Sequence, residues 1–384
     1  MSSRRPLVAL LSSTPFQGHR LYEQRLAAEL ACTHDVLFVQ PPTAVWTKAD
    51  GLRVRRPAVQ APEGITVVTP WVPPASRRRG LHHLNAPVVA ATLLAAVHRD
   101  GRRPQALVSA QNVGRPLQAA ARALRARTAF LVKDDYVAGA GLVGVPAERL
   151  RRGRDLSLAL ADEVVVVSPR LQRLCAASGR QAHLVPAGAQ LSPAGTGEDL
   201  DLPAGPFAVF LGMVSDRIDL EGFRAVLEAG LDLVVVGPRQ PTFTQDSTWA
   251  DLVSHPRMHW IGPRAPQDVS AVLTRAAVGL MPYTPSDFNQ ASFPLKVLEY
   301  LAAGLPVVST RLEALDWLDA PGVTVVDEIA RNAGDFVKAA VEAAAASDPQ
   351  AAAQRRNYAA GHSWSARGVR WREILSLDPA PGRS

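Results

Sequence analysis

The feature that most constrains this chain is a repeated alternation: short runs rich in Val, Leu and Ile, each followed by an Ala/Leu/Arg stretch with helical spacing. Neighbouring parallel strands need a long return connection, usually a helix, so the alternation predicts parallel sheets covered by helices on both faces. Strands are expected at 7–11, 36–39, 65–69, 106–109, 129–132, 163–167 and 182–185, with the clearest helices at 20–31, 86–97 and 116–124. At 192–206 the polar stretch SPAGTGEDLDLPAGP breaks the rhythm as a linker does. A second series follows, with strands at 208–211, 232–236, 258–261, 279–281, 306–309 and 323–325. The length of 384 residues also exceeds the size at which a single core stops growing. The expected fold is α/β, two doubly wound Rossmann-like domains (1–191 and 207–360) facing a cleft, with ligands at the carboxyl ends of the strands.

Within the second series, SFPLKVLEYLAAGLPVVST (292–310) carries the most chemistry. Pro294 suits the first position of a helix that Gly304 and Pro306 close. The first-turn amides, those of Leu295 and Lys296, have no partner inside such a helix and favour an anion. Val297, Leu298, Leu301 and Leu305 form the apolar stripe, which leaves Lys296, Glu299 and Ala303 on another face. Glu299 would lie roughly 7.5 Å along the axis from Pro294, a spacing that suits a ribose diol beside a phosphate. A plainer reading remains open, in which Lys296 and Glu299 are a surface ion pair contributing a few tenths of a kcal/mol.

The net charge is +7, but only four residues are lysine (Lys48, Lys133, Lys296 and Lys338), and no basic stripe interleaves with aromatics. A nucleic-acid partner is therefore not expected. Cys32 and Cys175 are too few and too far apart for a metal site or a disulfide framework, and buried reduced thiols are the default. The leading SRRPLVALL imitates a signal peptide, but its apolar run is short and reads as a first strand. No stretch reaches the ~18 apolar residues of a membrane span. The run Lys133, Asp134, Asp135, Tyr136 directly follows an apolar strand, where charges are costly unless paired or functional. Either these residues shape a binding pocket, or Asp135 caps the next turn while Lys133 neutralises it.

Taken together, FNQASFPLKVLEYLAAGLPVVST, HWIGPRAPQDVSAVL, VVVVSPRLQRL, HLVPAGAQ and VLFVQPPT resemble, in their order and spacing, the retaining family-four-like (group 1) glycosyltransferases of the GT-B fold, which build bacterial envelope polysaccharides. The resemblance implies a donor site for a nucleotide diphosphate sugar, with no cofactor and no metal. Glu299 matches the family glutamate that binds the donor ribose. The partner glutamate, eight positions earlier, is Ala291 here. Ser292 and Phe293 stand where the family offers backbone amides, Leu295 opens the helix, and Asp287 and Asn289 would supply the missing sugar contact. The family's basic pair after the first strand of the second domain is replaced by Met213 and Ile218 behind Gly212, with Arg217 adjacent. Arg217 either substitutes for the pair or is a solvated arginine beside Asp216 or Asp219. Arg264 would stack on the base, and Arg239 is either an anion contact or a surface charge. In the first domain Gly18 would approach the diphosphate or acceptor, with His19, Gln111, Asn112, Lys133 and Asp135 near the acceptor, Asp134 or Asp135 hydrogen-bonding its hydroxyls, and Asp134 counted with Lys296 and Arg217 as catalytic. A last helix at 361–378, bearing Trp364 and Trp371, would cross back to the first domain.

The activity implied is metal-independent transfer of a sugar to a hydroxyl of a glycan, lipid-linked or small-molecule acceptor, with Lys296 and Arg217 meeting the departing charge. A cytoplasmic location is expected, with peripheral contact at the inner membrane face if Arg77–Arg79, His82, His83, Arg102 and Arg103 meet anionic lipid. Against that contact, the neighbouring helix at 86–97 is apolar nearly all round and reads as buried. Rival readings are an inactive sugar-nucleotide-binding or scaffold protein, favoured by Ala291, and a sugar-nucleotide epimerase of the same fold. A nicotinamide enzyme lacks its G-x-G-x-x-G after the first strand.

Overall fold

The computed structural model describes residues 5–17, 21–44, 59–73, 85–112, 114–189, 200–329, 331, 333–346 and 348–377. Two compact units emerge, Met1–Ala187 with Trp364–Ser384, and Gly188–Ser363. Of the 192–206 stretch, residues 192–199 lie outside the described residues, and 200–206 belong to the second unit.

The first unit contains β1 (Leu7–Leu11), β2 (Asp35–Val39), β3 (Thr43–Ala44), β4 (Ile65–Val68), β5 (Trp71–Val72), β6 (Pro104–Ser109), β7 (Arg127–Val132), β8 (Glu163–Val166) and β9 (His183–Leu184). Seven of these make a parallel sheet in the order β4-β2-β1-β6-β7-β8-β9, while β3 and β5 pair separately. Every residue of β1 is buried, as expected of a central strand covered on both faces. The two-residue strands β3 and β5 are too short to leave a periodic signature.

In the second unit, β10 (Phe207–Leu211), β11 (Asp232–Val236), β12 (Met258–Gly262), β13 (Val278–Met281), β14 (Val307–Thr310) and β15 (Val323–Val326) form a parallel sheet ordered β12-β11-β10-β13-β14-β15. In both sheets the order reverses beside the first strand, the doubly wound pattern predicted from the alternation.

The helix Trp364–Leu375 belongs to the first unit. Trp371 is fully buried and its Nε1 donates to the Tyr22 hydroxyl at 2.9 Å, while that hydroxyl donates to the Val185 carbonyl at 2.8 Å. Trp364 meets the Tyr22 ring edge-on at 5.0 Å.

Two expectations need correction. The helix expected at 86–97 spans Asn85–Asp100 and buries only the stripe Val89, Ala90, Leu93, Ala96 and Val97, leaving Leu94 exposed, because it packs on one side, against the helix Arg115–Leu124 and the strand Trp71–Val72. Beside it, Arg102 is ion-paired with Asp35 at 2.6 Å and with Asp100 at 2.7 Å, a tie between strand and helix end. Residues 77–79, 82 and 83 lie outside the described residues. Of the two thiols, Cys175 is buried and Cys32 is exposed. No described helix is long and apolar enough to cross a membrane.

Candidate functional site

Strand order puts β10 beside β13, and the loops that leave their carboxyl ends are sewn together. Ile218 bridges Tyr283, Asp219 N–H donates to the Pro282 carbonyl at 2.8 Å, and Thr284 N–H donates to the Arg217 carbonyl at 2.9 Å. This is the switch point at which doubly wound sheets bind ligands.

Lys296 reaches this point from the start of the helix Leu295–Ala303. Its ammonium donates to the Tyr283 hydroxyl at 2.9 Å and lies 4.6 Å from the Phe210 ring centre and 5.1 Å from that of Tyr283. The Phe210 ring attracts the cation through its π face, while Tyr283 holds it through its hydroxyl. The stem passes over Gly212, whose φ of +128° favours glycine and whose missing side chain supplies the room: a Cβ there would lie 2.4 Å from Lys296 Cε.

Arg217 is equally fixed. Its Nε donates to Asn289 Oδ1 at 2.7 Å, and its guanidinium lies 4.8 Å from the Phe288 ring centre and 5.6 Å from that of Tyr283. Asp216 instead accepts from Thr244, and Asp219 caps the helix Leu220–Glu228, so the solvated reading of Arg217 does not hold. Among the described residues neither Lys296 nor Arg217 is ion-paired with a carboxylate; both cations rest on neutral partners. Between them, the Tyr283 phenol feels burial pushing its pKa up, but Lys296 and Arg217 outweigh that and hold it below the ordinary range.

The other donor-site candidates divide. Asn289 is 1% exposed, and its Nδ2 donates to the Arg217 carbonyl at 3.1 Å and the Thr284 carbonyl at 2.9 Å. It holds Arg217 and is not placed to touch a sugar. Ser292 is buried, with its N–H on the Phe288 carbonyl at 3.1 Å and its hydroxyl on the same oxygen at 3.0 Å, so that amide serves the preceding turn and not a ligand. Phe293 is buried beside it. Pro294 is the cap and not the first helical residue, and the first bond is Val297 N–H to the Pro294 carbonyl at 3.1 Å. The amides of Leu295 and Lys296 therefore precede the helical ladder. Glu299 is half-buried one turn beyond Lys296, Asp287 is exposed in the first turn of Asp287–Ala291, and Arg264 is exposed in the turn after β12. Arg239 is ion-paired with Asp246, which supports the surface-charge reading.

The first unit handles its own switch point differently. Glu23, on the helix Tyr22–Ala31, is fully buried, and its Oε1 accepts from Lys133 Nζ at 2.6 Å and from the Ser13 hydroxyl at 2.9 Å. Lys133 also donates to Ser13 Oγ at 3.0 Å. Tyr136 contacts Ser13 and Asp134, and burial, followed by the Asp134 and Glu23 charges, pushes its phenol up. Asp135 Oδ1 accepts from the Val137 and Ala138 amides at 3.1 and 3.2 Å, so it caps the turn. Gln111 Nε2 donates to the Ser12 carbonyl at 2.6 Å and ties two loops. Lys133, Asp135 and Gln111 therefore have structural partners within the unit, as does Asp134, half-buried and hydrogen-bonded to Tyr136, while Asn112 is exposed. Gly18 and His19 lie outside the described residues.

Sequence reasoning missed Tyr283 and Glu23. Tyr283 directly follows MP at the end of β13, a strand-end position that should have flagged it. Glu23 sits in an ordinary amphipathic helix start and carries no such signal.

Residues 206–346 match the sequence profile of the family described as glycosyl transferases group 1. A protein of Bacillus subtilis, named as a teichuronic acid biosynthesis glycosyltransferase, TuaH, is 35% identical over 119 residues, which is 30% of this chain and 29% of that protein. Among solved structures, sucrose-phosphate synthase from Thermosynechococcus elongatus superposes with a TM-score of 0.75 at 15% identity, covering 97% of this chain and all (100%) of the other. HepE from Anabaena, in complex with UDP-glucose, gives 0.64 at 14% identity over 96% and 99% of the two chains. The structural likenesses span nearly the whole chain, and the fold is GT-B.

Proposed function

We propose that this chain, whose residues 206–346 form a group 1 glycosyl transferase domain, moves a sugar from a nucleoside diphosphate sugar to an acceptor hydroxyl. The observation that carries this is the pair of cations, Lys296 and Arg217, held at the switch point on neutral partners. Cations fixed in place without a carboxylate suit an anion that arrives from outside. As the glycosidic bond breaks, charge builds on the leaving diphosphate, and preset cations with a helix start lower the barrier more than mobile ones would.

In this reading Leu295 and Lys296 amides meet the phosphate, Glu299 holds the ribose diol, and Arg264 faces the base. Asp287 is the remaining side chain near the helix start for the sugar. Asp134 and Asn112 of the first unit take the acceptor, a glycan, a lipid-linked glycan or a small molecule. Transfer proceeds with retention and without metal, the leaving phosphate accepting the acceptor's proton on the same face. The partial likeness to a teichuronic acid glycosyltransferase supports a role in envelope polysaccharide synthesis. Calorimetry with UDP, GDP, ADP, TDP and their sugars tests the reading; no binding to any, in a folded protein, refutes it. Ala291, buried where the family has a glutamate, favours one rival, a sugar-nucleotide-binding protein without turnover. Donor binding without transfer or hydrolysis across an acceptor panel would establish that rival.

A further inference from the structure

Tyr283 has no part in the chemistry given to Lys296 and Arg217, yet both cations flank its ring and one is bonded to its oxygen. The residue is 7% exposed, and its backbone is fixed from two sides. Its N–H donates to Thr310 Oγ1 at 2.9 Å, and that hydroxyl donates back to the Tyr283 carbonyl at 2.8 Å. The backbone that carries the ring is therefore held, and the Lys296 stem crosses Gly212, where no side chain stands in its way. We propose that Tyr283 is a positioning residue that parks the Lys296 ammonium over Gly212 and yields it to the diphosphate of an incoming donor. This rests on the donor-site reading and adds to it a partner exchange.

A protonic consequence follows. The charged groups facing the phenol are Lys296, from the helix start, and Arg217, from the loop after β10; from below it meets Tyr300, whose own phenol burial holds protonated. A diphosphate compensates the two cations and adds negative charge, so the phenol should hold its proton more tightly when the site is filled. Tyr22, Tyr136 and Tyr300 are all pushed upward by burial, so Tyr283 titrates ahead of these three, and the difference between the parent and Tyr283→Phe separates it from Tyr358.

The experiment follows tyrosinate absorbance against pH for the parent chain, Tyr283→Phe and Lys296→Met, with and without inorganic pyrophosphate, alongside calorimetry of pyrophosphate binding. The phenol step that Tyr283→Phe removes should move upward in Lys296→Met, and move upward in the parent when pyrophosphate is added. Once a donor is identified, Tyr283→Phe should lower kcat roughly ten- to a hundredfold, the scale of a displaced reacting group, with a smaller change in KM. If pyrophosphate binds and the binding is lost in Lys296→Met, but the titration does not move, the partner exchange is wrong while the donor site stands. If neither pyrophosphate nor any nucleoside diphosphate binds, both fall. A Tyr283→Phe protein with the parent kcat also overturns the proposal.

Discussion

Gly212→Ala tests whether the location of the Lys296 ammonium, and not merely its presence, makes the donor site. The new Cβ would lie 2.4 Å from Lys296 Cε and 2.9 Å from its Nζ, at a φ of +128°. The backbone strain costs about 1–3 kcal/mol, which a domain of this size survives. The clash falls on the far end of a flexible side chain, so the fold gives way there: the ammonium leaves Tyr283 and the Phe210 face. A charge-assisted hydrogen bond to the diphosphate is then lost, about 1.5–3 kcal/mol, or roughly ten- to a hundredfold in affinity. Urea unfolding measures the first quantity, and calorimetry with whichever of UDP, GDP, ADP or TDP binds the parent measures the second. Adding Lys296→Ala to Gly212→Ala should cost under about 0.5 kcal/mol more, because the cation is already displaced. A folded Gly212→Ala protein with the parent affinity would refute the reasoning.

Glu299→Gln should weaken nucleotide binding by about 1.5–3 kcal/mol, and unchanged affinity by calorimetry would exclude the ribose role. Trp371→Ala should destabilise the first unit by about 3–5 kcal/mol in urea unfolding, since it empties a fully buried site and removes the donor to Tyr22; a loss under about 1 kcal/mol would mean the last helix is not anchored there. Lys133→Met leaves the Glu23 carboxylate buried without its cation and should cost about 3–5 kcal/mol, part of which Glu23→Leu in the same chain restores; a stable single variant counts against the buried pair. Burial opposes the charge on Glu163, yet His183 and Arg127 outweigh it and hold its carboxyl below the usual range. Its stabilisation is therefore present above the unfolded carboxylate pKa of about 4.3 and is lost as pH falls through the folded value, so Glu163→Gln should flatten the acid limb of stability against pH; an identical limb would contradict this.

The sheets were legible because parallel strands covered on both faces leave dense apolar runs, as β1 and β11 do. Strands β3 and β5 were not, since two residues carry no period. Lys296 was legible because a helix start is written in local sequence: Pro294 before it and Gly304 after it. Its partner was not, because Tyr283 reaches it through strand order, thirteen residues away in the chain and across the β10/β13 junction. The same limit explains Lys133. Its placement at a strand end suggested a ligand contact, but the chain gives no local sign that Glu23, 110 positions earlier, takes its charge.

The two units thus use one topology in opposite electrostatic ways. At the first switch point, Lys133 and Glu23 cancel each other at 2.6 Å, with side-chain exposures of 11% and 0%. That pair needs no outside charge, and it suits a surface that recognises neutral hydroxyls through residues at its rim. At the second, Lys296 and Arg217 rest on a phenol, an amide and aromatic faces, partners that fix a cation without neutralising it. Holding like charges together in a folded chain is unfavourable until a counter-charge arrives, and a diphosphate is a counter-charge of the right sign and multiplicity. On the function proposed above, this asymmetry suits an anionic substrate at the second unit, whose binding should weaken as salt rises, and Lys296→Met should lower that dependence while Arg217 retains the rest.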